Sequence, residues 1–275
     1  MNKELGVDDL RRELTRYVTE YPETFHERDW WRPPLLATAR VDQRFEILPR
    51  IAADNHWLPT DLMPTARAVV VFFIPFKAEL AEENHPGKFP CPNWGVAYEV
   101  TNQLIESACA RLGEVLTEHG HQCVLTPATE NFDAERLVAR WSHKHLGYVA
   151  GLGRFGINAQ FITPSGCAGR MGSLVTDADL GDHPLVTKPE LCLHKVGREC
   201  LQCVARCPVK AVRVEEGIDR HRCNNRLNFN WDNRIKLGLG ERSHGCAKCQ
   251  VNLPCSLTDP SSVEATPTMS EKPNN

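Results

Sequence analysis

The sequence predicts an α/β domain followed by a small cysteine-rich domain, and three observations lead to this fold class. Residues 68–74 form an uncharged run of β-branched and aromatic side chains, which is typical of a strand buried on both faces of a covered sheet. Apolar residues between Val96 and His119 recur with the period of an amphipathic helix. Eight of the 12 cysteines lie in the last third of the chain.

The first domain alternates between helix and strand. A helix that Asp8 can cap is expected to end at Pro22, and the buried strand 68–74 follows it. The long helix that begins near Val96 is closed by Gly120, because glycine readily adopts the backbone conformation that ends a helix. This alternation is typical of α/β proteins.

The second half of this domain has a different pattern. Val124 and Leu125 predict a short strand, and residues 135–148 predict another helix. Residues 161–163 and 172–177 contain apolar and β-branched side chains and flank a Pro-Ser-Gly turn, so we expect them to form a hairpin.

Composition sets the domain boundaries. A linker rich in proline and glycine, residues 181–189, separates the α/β domain (1–185) from the cysteine-rich domain (186–257). The last residues, 258–275, are mostly Ser, Thr, Pro, Glu and Asn, which predicts a disordered tail. With 275 residues and 41% hydrophobic content, the chain can bury a substantial core.

Charge and hydropathy exclude some partners. A net charge of -3 gives no general attraction to polyanions, so nucleic-acid binding would need a local basic patch. The candidate patch is Arg213, Arg220, Arg222, Arg226, Arg234 and Lys236, and the pattern favours a solvated surface beside negatively charged clusters over a binding site. No window is apolar enough to span a membrane, and the charged first residues do not resemble a signal peptide, so we expect a cytoplasmic protein.

The eight clustered cysteines have the spacing of iron-sulfur ligands. The first set reads C-x7-C-x2-C-x3-C-P, and the second contains C-x2-C-x5-C. In the bacterial ferredoxin run C-x2-C-x2-C-x3-C-P, the fourth cysteine ligates the other cluster. The same crossing predicts two 4Fe-4S clusters here, one on Cys192, Cys200, Cys203 and Cys255 and the other on Cys207, Cys223, Cys246 and Cys249.

Two other uses of these cysteines are open. The two C-x2-C turns could form a four-thiolate zinc site, which would leave four cysteines and Pro208 unexplained. Disulfides would need an oxidising compartment, which the expected cytoplasmic location does not provide.

The segment Gly151–Gly156 matches G-x-G-x-x-G, a pattern found in dinucleotide-binding sites. That pattern should follow a strand and open a helix, whereas here it follows a predicted helix and leads into a predicted hairpin. Its context therefore disfavours a dinucleotide site.

The sequence YVAGLGRFGIN at 148–158, followed by FITP, GSLVTD and the two cysteine sets, resembles the epoxyqueuosine reductase family and the related reductive dehalogenases. The similarity covers roughly residues 60–256. It implies a nitroreductase-like α/β domain that binds a corrinoid, usually base-off cobalamin, next to a bacterial-ferredoxin-like domain. It also implies a reductase that takes electrons from a donor such as ferredoxin or flavodoxin, and it makes tRNA a candidate substrate.

The resemblance also suggests where a corrinoid would bind. Glycines let the backbone approach a flat macrocycle, and small polar side chains can bind its amide arms, although tight turns use the same residue types. The candidates are Gly151, Gly153, Gly156, Asn158, Thr163, Ser173 and Thr176.

A reductase of this kind also needs a proton donor. The position of the family's acid, counted back from the glycine loop, is Leu137 here, and Asp133 lies nearby but out of register. His143 and His145 precede the loop and are candidates because histidine titrates near neutrality, although either could be a surface or packing residue. Being two apart on a helix, at most one is expected to point into a pocket.

Two functions remain open from the sequence. One is a cobalamin-dependent iron-sulfur reductase that passes electrons through two clusters to the corrinoid, which reduces the substrate. The alternative is an electron-transfer or reductive-activation protein with two clusters and no corrinoid of its own. A large α/β domain favours the first, because two clusters alone do not require it.

Overall fold

The computed structural model describes residues 5–126 and 132–262. Its helices are α1 (Val7–Thr24), α2 (Leu48–Ile51), α3 (Pro59–Leu62), α4 (Ala78–Glu83), α5 (Pro92–Glu118), α6 (His143–Val149), α7 (Gln202–Arg206) and α8 (Arg220–Asp232). Its strands are β1 (Leu35–Arg40), β2 (Ala68–Pro75), β3 (Cys123–Leu125), β4 (Phe132–Asp133), β5 (Val138–Ala139), β6 (Arg154–Phe155), β7 (Phe161–Ile162), β8 (Gly169–Thr176), β9 (Val212–Arg213) and β10 (Gly217–Ile218). None of these helices combines the length and apolarity needed to cross a lipid bilayer.

A four-stranded antiparallel sheet, with the strand order β1-β2-β8-β3, forms the centre of the first region. On β2, Phe72 lies opposite Leu36 of β1, and Val70 lies opposite Leu174 of β8. All eight residues of β2 are buried, as the sequence predicts. The reason is that the strand has a neighbour on each side and helices on both faces of the sheet.

The two faces of β2 belong to different parts of the core. Phe72 packs in the core that α1 and α5 contribute to, together with residues such as Leu104. Phe73, on the opposite face, shares a core with Trp141 and with Leu146 of α6. The mixed α/β class is therefore confirmed, with a sheet that is antiparallel.

The two helices predicted from periodicity are present. The long helix is α5, and Gly120 follows it with φ of 82°, as expected for a glycine that closes a helix. The first helix continues through Pro22 to Thr24, so the predicted end was two residues early.

Two local predictions were wrong. Residues 161–162 pair with β6 rather than with 172–177, because β8 has the buried residues of a central strand and lies between β2 and β3. The helix predicted over 135–148 starts only at His143. Leu137 has φ of 55°, which a right-handed helix cannot accommodate, and β5 follows it.

The cysteine-rich region has little regular structure. It contains the short helix α7, the two-stranded pair β9–β10 and the helix α8. Residues 260–262 form a 3-10 helix, and the N–H of Asp259 donates to the carbonyl of Pro164 at 3.2 Å. The folded chain thus extends beyond the predicted boundary at 257, and the rest of the predicted tail, 263–275, lies outside the described residues.

The two regions meet along a close seam. The Arg32 guanidinium donates to the carbonyls of Phe76, Leu257 and Ser165 at 2.8, 3.0 and 2.7 Å. Gly95 of α5 lies so close to Leu239 that a Cβ there would collide with the Leu239 backbone. This seam fixes the cysteines relative to the sheet.

Candidate functional site

The first predicted cysteine set converges on one place. Cys192, Cys200, Cys203 and Cys255 all line a small cavity whose wall also includes Gly156 and Asn158 of the glycine loop. α7 positions Cys203, and Cys200 lies just before that helix. Burial, followed by the neighbouring thiols Cys255, Cys192 and Cys200, raises the pKa of Cys203 to about 12. Thiolates gathered here would repel one another unless a cation bound between them.

The cysteines of the second set influence one another electrostatically. Burial is the main cause that raises the pKa of Cys223 to about 11, and Cys246 and Cys207 add to it as neighbouring thiols. Cys249 has its pKa raised well above its ordinary value by burial and then by Cys246, Cys223 and Cys207. Hence the four side chains of the second set are electrostatic neighbours, although they come from α8, the end of α7 and the turn at 246–249.

Backbone and amide groups support the second set. The Ala211 N–H donates to the sulfur of Cys207 at 3.1 Å, and Asn158 Nδ2 donates to the carbonyl of Cys249 at 2.6 Å. Hydrogen bonds to a cysteine sulfur, such as the one from Ala211, help to set the reduction potential of an iron-sulfur cluster.

All 12 cysteines of the sequence are free thiols. Within 5–126 and 132–262, no group of three or more His, Cys, Asp or Glu side chains is arranged to hold a single metal ion. Ligation of clusters by the two sets therefore stays a prediction.

A large cavity of about 1090 Å³ lies between the sheet and the cysteine-rich region. Its walls come from α5, α6, the β6–β7 hairpin, β8 and α8, and they include Tyr98, Trp141, Phe155, Met171 and Asn224. Gly156 and Ile157 line both this cavity and the small cysteine cavity. The two cavities are thus neighbours that share one loop.

The large cavity contains a pair of side chains that the sequence prediction did not bring together. The Arg170 guanidinium carbon lies 3.9 Å from the centre of the Tyr98 ring, and both residues line the cavity. Arg170 Nε is buried and has no hydrogen-bond partner among the described residues. A buried, unpaired donor at a cavity wall can donate a hydrogen bond to a polar group of a ligand.

Both candidate histidines line the large cavity, so the expectation that at most one would do so was wrong. α6 begins at His143, so both histidines lie in its first turn, and Lys144 between them also lines the cavity. His143 Nδ1 lies 2.8 Å from Ser173 Oγ, and His145 Nδ1 lies 2.8 Å from Ser142 Oγ. Burial, aided by the nearby His56 and Lys144, lowers the pKa of His145 to about 4, so its ring is neutral at pH 7.

Asp133 occupies a different kind of position. Its carboxylate accepts the backbone N–H groups of Glu135 and Arg136, at 3.0 and 2.9 Å, which stabilises the turn after β4. In the described part of the chain, Leu137 lines the large cavity and Asp133 does not.

Most of the predicted corrinoid residues have partners within the fold. A Cβ at Gly151 or Gly153 would collide with Pro184 or Ile162, so these glycines allow close packing. Thr163 and Thr176 donate to the carbonyls of Gly166 and Gln122, at 2.8 and 2.7 Å, and Ser173 Oγ accepts the Trp141 indole N–H at 2.9 Å. Of the seven predicted residues, Gly156 alone lines the large cavity of the described structure, and Asn158 lines the small one.

The chain resembles known epoxyqueuosine reductases in sequence. It is 23% identical over 205 residues to the epoxyqueuosine reductase of Vibrio cholerae, a match that covers 71% of this chain and 52% of that protein. The chain therefore spans about half the length of this curated relative. No family model matches the chain.

Solved structures share the fold. The epoxyqueuosine reductase of Bacillus subtilis, with its catalytic aspartate loop swung out of the active site, aligns with a TM-score of 0.53 and 14% identity, covering 90% of this chain and 66% of that one. An epoxyqueuosine reductase with an epoxyqueuosine-modified tRNA-Tyr stem loop aligns with a TM-score of 0.52 and 17% identity, with the same coverage. A catabolic reductive dehalogenase aligns with a TM-score of 0.45 and 13% identity, covering 70% of this chain and 26% of that one. The resemblance predicted from the sequence is confirmed.

Proposed function

We propose that this protein is an iron-sulfur reductase in which two 4Fe-4S clusters deliver electrons to a corrinoid bound in the large cavity. The observation that carries the proposal is the convergence of two four-cysteine sets next to a cavity of about 1090 Å³. One set would hold each cluster, with the crossed assignment that the spacing predicts.

The residues of the large cavity fit a corrinoid. Its volume lies just above the usual range for small-molecule sites, and its lining is largely aromatic and aliphatic. Arg170 Nε offers an unpaired donor, and Gly156 lets the backbone approach closely. When bound, a corrinoid supplies a strongly reducing cobalt centre, and iron-sulfur clusters supply single electrons.

The chain's own residues would provide the proton that a reduction consumes. Tyr98 carries a hydroxyl proton, lines the large cavity, and lies with its ring centre 3.9 Å from the guanidinium carbon of Arg170. Leu137 occupies the position of the family's acid and has no proton to donate. We therefore assign the role of proton donor to Tyr98, with Arg170 beside it. His145 is neutral at pH 7 and so is a weaker donor.

The candidate substrate is a modified nucleoside in RNA, as the names of the relatives suggest. The predicted basic patch gives this limited support. Arg220 lines the large cavity, but Arg213 is paired with Glu216 and Asp219, and Arg226 lies over the Phe89 ring. The substrate is therefore a separate question from the electron path.

The first test is anaerobic purification followed by iron and sulfide analysis and titration with cobalamin. The proposal expects about eight irons and eight sulfides per chain, and a change of the cobalamin spectrum to the base-off form. If the protein holds both clusters but does not bind cobalamin, the result would favour the alternative of an electron-transfer protein without a corrinoid. One zinc and no sulfide would end the proposal.

The second test is Tyr98→Phe, assayed on RNA that contains epoxyqueuosine. We expect turnover to fall by roughly 10²–10⁴-fold with cobalamin binding unchanged, because general acids contribute on that scale. Tyr17→Phe, a partly buried tyrosine of α1, is the matched control and should keep full activity. Equal activity of Tyr98→Phe and the control would refute the proton-donor role.

A further inference from the structure

We propose that Cys167 is a positioning residue, whose thiol donates a hydrogen bond to the sulfur of Cys255 and thereby raises the reduction potential of one cluster. That cluster is the one assigned to Cys192, Cys200, Cys203 and Cys255. The inference rests on the proposed function, because it requires a cluster at that set. It concerns a cysteine that the cluster spacing leaves unused.

The two sulfurs are within hydrogen-bonding reach. Cys167 Sγ lies 4.0 Å from Cys255 Sγ, and its other neighbouring acceptor is the carbonyl of Gln250, at 3.7 Å. Cys167 is 1% exposed, so water does not compete for its proton. An iron-bound thiolate carries more negative charge than a peptide carbonyl, so the sulfur is the stronger acceptor once a cluster is present.

The backbone holds the two cysteines together. The Cys167 N–H donates to the carbonyl of Cys255, and the Ala168 N–H donates to the carbonyl of Ser256, both at 2.8 Å. The side-chain amide of Gln250 donates to the carbonyl of Cys167. Because these hydrogen bonds hold residues 167–168 against residues 255–256, the thiol stays next to Cys255 as the cluster changes oxidation state.

The position of the pair lies between the two cavities. Cys255 lines the small cavity, and Cys167 lines the large one. Among the described cysteines, Cys167 is therefore the thiol located in the wall between the proposed cluster and the proposed corrinoid site. A change in the cluster's potential at this wall alters the driving force for electron transfer across it.

The direction of the effect follows from charge. Reduction adds one negative charge to the cluster, and a hydrogen bond donated to a ligating sulfur stabilises the more negative state. The S–H group is a weak donor, but its bond is strengthened by the low polarity of a buried site. Cys167 therefore favours the reduced form of this cluster over its oxidised form.

The experiment measures the potentials of both clusters by redox titration monitored by electron paramagnetic resonance. It compares the reconstituted natural protein with Cys167→Ala, which removes the donor, and Cys167→Ser, which keeps one. Cys109→Ala is the matched control, since that thiol is equally buried and lies 3.7 Å from the Ser173 carbonyl, away from both cysteine sets.

In Cys167→Ala we expect the equilibrium constant for reducing one cluster to fall about tenfold, which is about 59 mV for a one-electron couple. Cys167→Ser should keep most of the natural value, and Cys109→Ala should change neither cluster. Iron content should be the same in all four proteins, because Cys167 is not proposed as a ligand.

Two results would overturn the inference while leaving the proposed function intact. One is full cluster content with identical potentials in Cys167→Ala and the natural protein. The other is loss of a cluster in Cys167→Ala together with its retention in Cys255→Ala, which would make Cys167 the ligand. Absence of clusters from the natural protein would instead contradict the proposed function itself.

Discussion

The helices α5 and α8 show how differently the two regions are held together. α5 buries side chains along its whole length, from Trp94 to Leu116, against the sheet. α8 has 13 residues, of which only Asn230 is buried, and it leaves Phe229 and Trp231 exposed. Apolar burial can hold the first helix in place but not the second.

The comparison indicates where each region gets its stability. The α/β region has a continuous core on both faces of the sheet, whereas the core around Cys203, Val212 and Leu253 is small. A small region without a sufficient core usually depends on metals or cross-links. We therefore expect the α/β region to fold without cofactors and the cysteine-rich region to need its clusters.

The largest expected effect comes from removing the clusters. Without iron and sulfide, α8 and the loops around it should lose their fixed structure, because metal-binding energy is folding energy in such regions. Limited proteolysis should then cut after about residue 185, while the far-ultraviolet circular dichroism of the α/β region persists. Protein reloaded with iron and sulfide is the control. Equal protease resistance with and without clusters would show that the cysteine-rich region folds without them.

A core truncation should act on the other region. Phe72→Ala leaves a cavity at the centre of β2 and should lower the free energy of unfolding by about 3–5 kcal/mol. Iron content should be unchanged at temperatures below the new transition. Phe25→Ala, at a ring that is 48% exposed, is the matched control and should cost far less. Denaturant titration monitored by circular dichroism measures both; similar losses would contradict the assignment of the core.

The smallest of the three effects is a dependence on pH. The pKa of His145 is about 4 in the folded chain against 6.5 as its ordinary value, so the unfolded chain takes up the proton first as the pH falls. Stability is then full above pH 6.5 and declines by ~3 kcal/mol between pH 6.5 and 4. His145→Gln should flatten this decline, whereas replacement of the exposed His26 by asparagine should not. Parallel pH profiles for both variants would contradict the role of His145.

Local patterns predicted the parts of the fold that local forces determine. β2 and α5 were correctly predicted because each is long and strongly patterned. The pairing of β8 with β2 was missed, because the pairing of strands about a hundred residues apart cannot be inferred from the local sequence pattern of either strand. The φ of 55° at Leu137 was missed for a related reason, because leucine rarely adopts it without tertiary contacts.

The site was predicted to a similar extent. The four cysteines of the first predicted set line one small cavity, and Cys246 and Cys207 of the second set lie near Cys223, while ligation of clusters by either set stays a prediction. The contacts of Tyr98 with Arg170 and of Cys167 with Cys255 are non-local and were not predicted. Ser173 and Thr176 resembled ligand-binding residues because their hydroxyls suit a ligand and an internal hydrogen bond equally well.

The backbone pairing of Cys167 with Cys255 also constrains the order of events during synthesis. Under the crossed assignment, each cysteine set includes residues on both sides of α8, and the backbone of Cys255 pairs with that of Cys167. A ribosome would therefore release nearly the whole described polypeptide before either iron site was complete. Assembly factors that insert metal would then meet a folded sheet joined to a cysteine-rich region that is not yet folded, so folding of the sheet precedes cofactor loading.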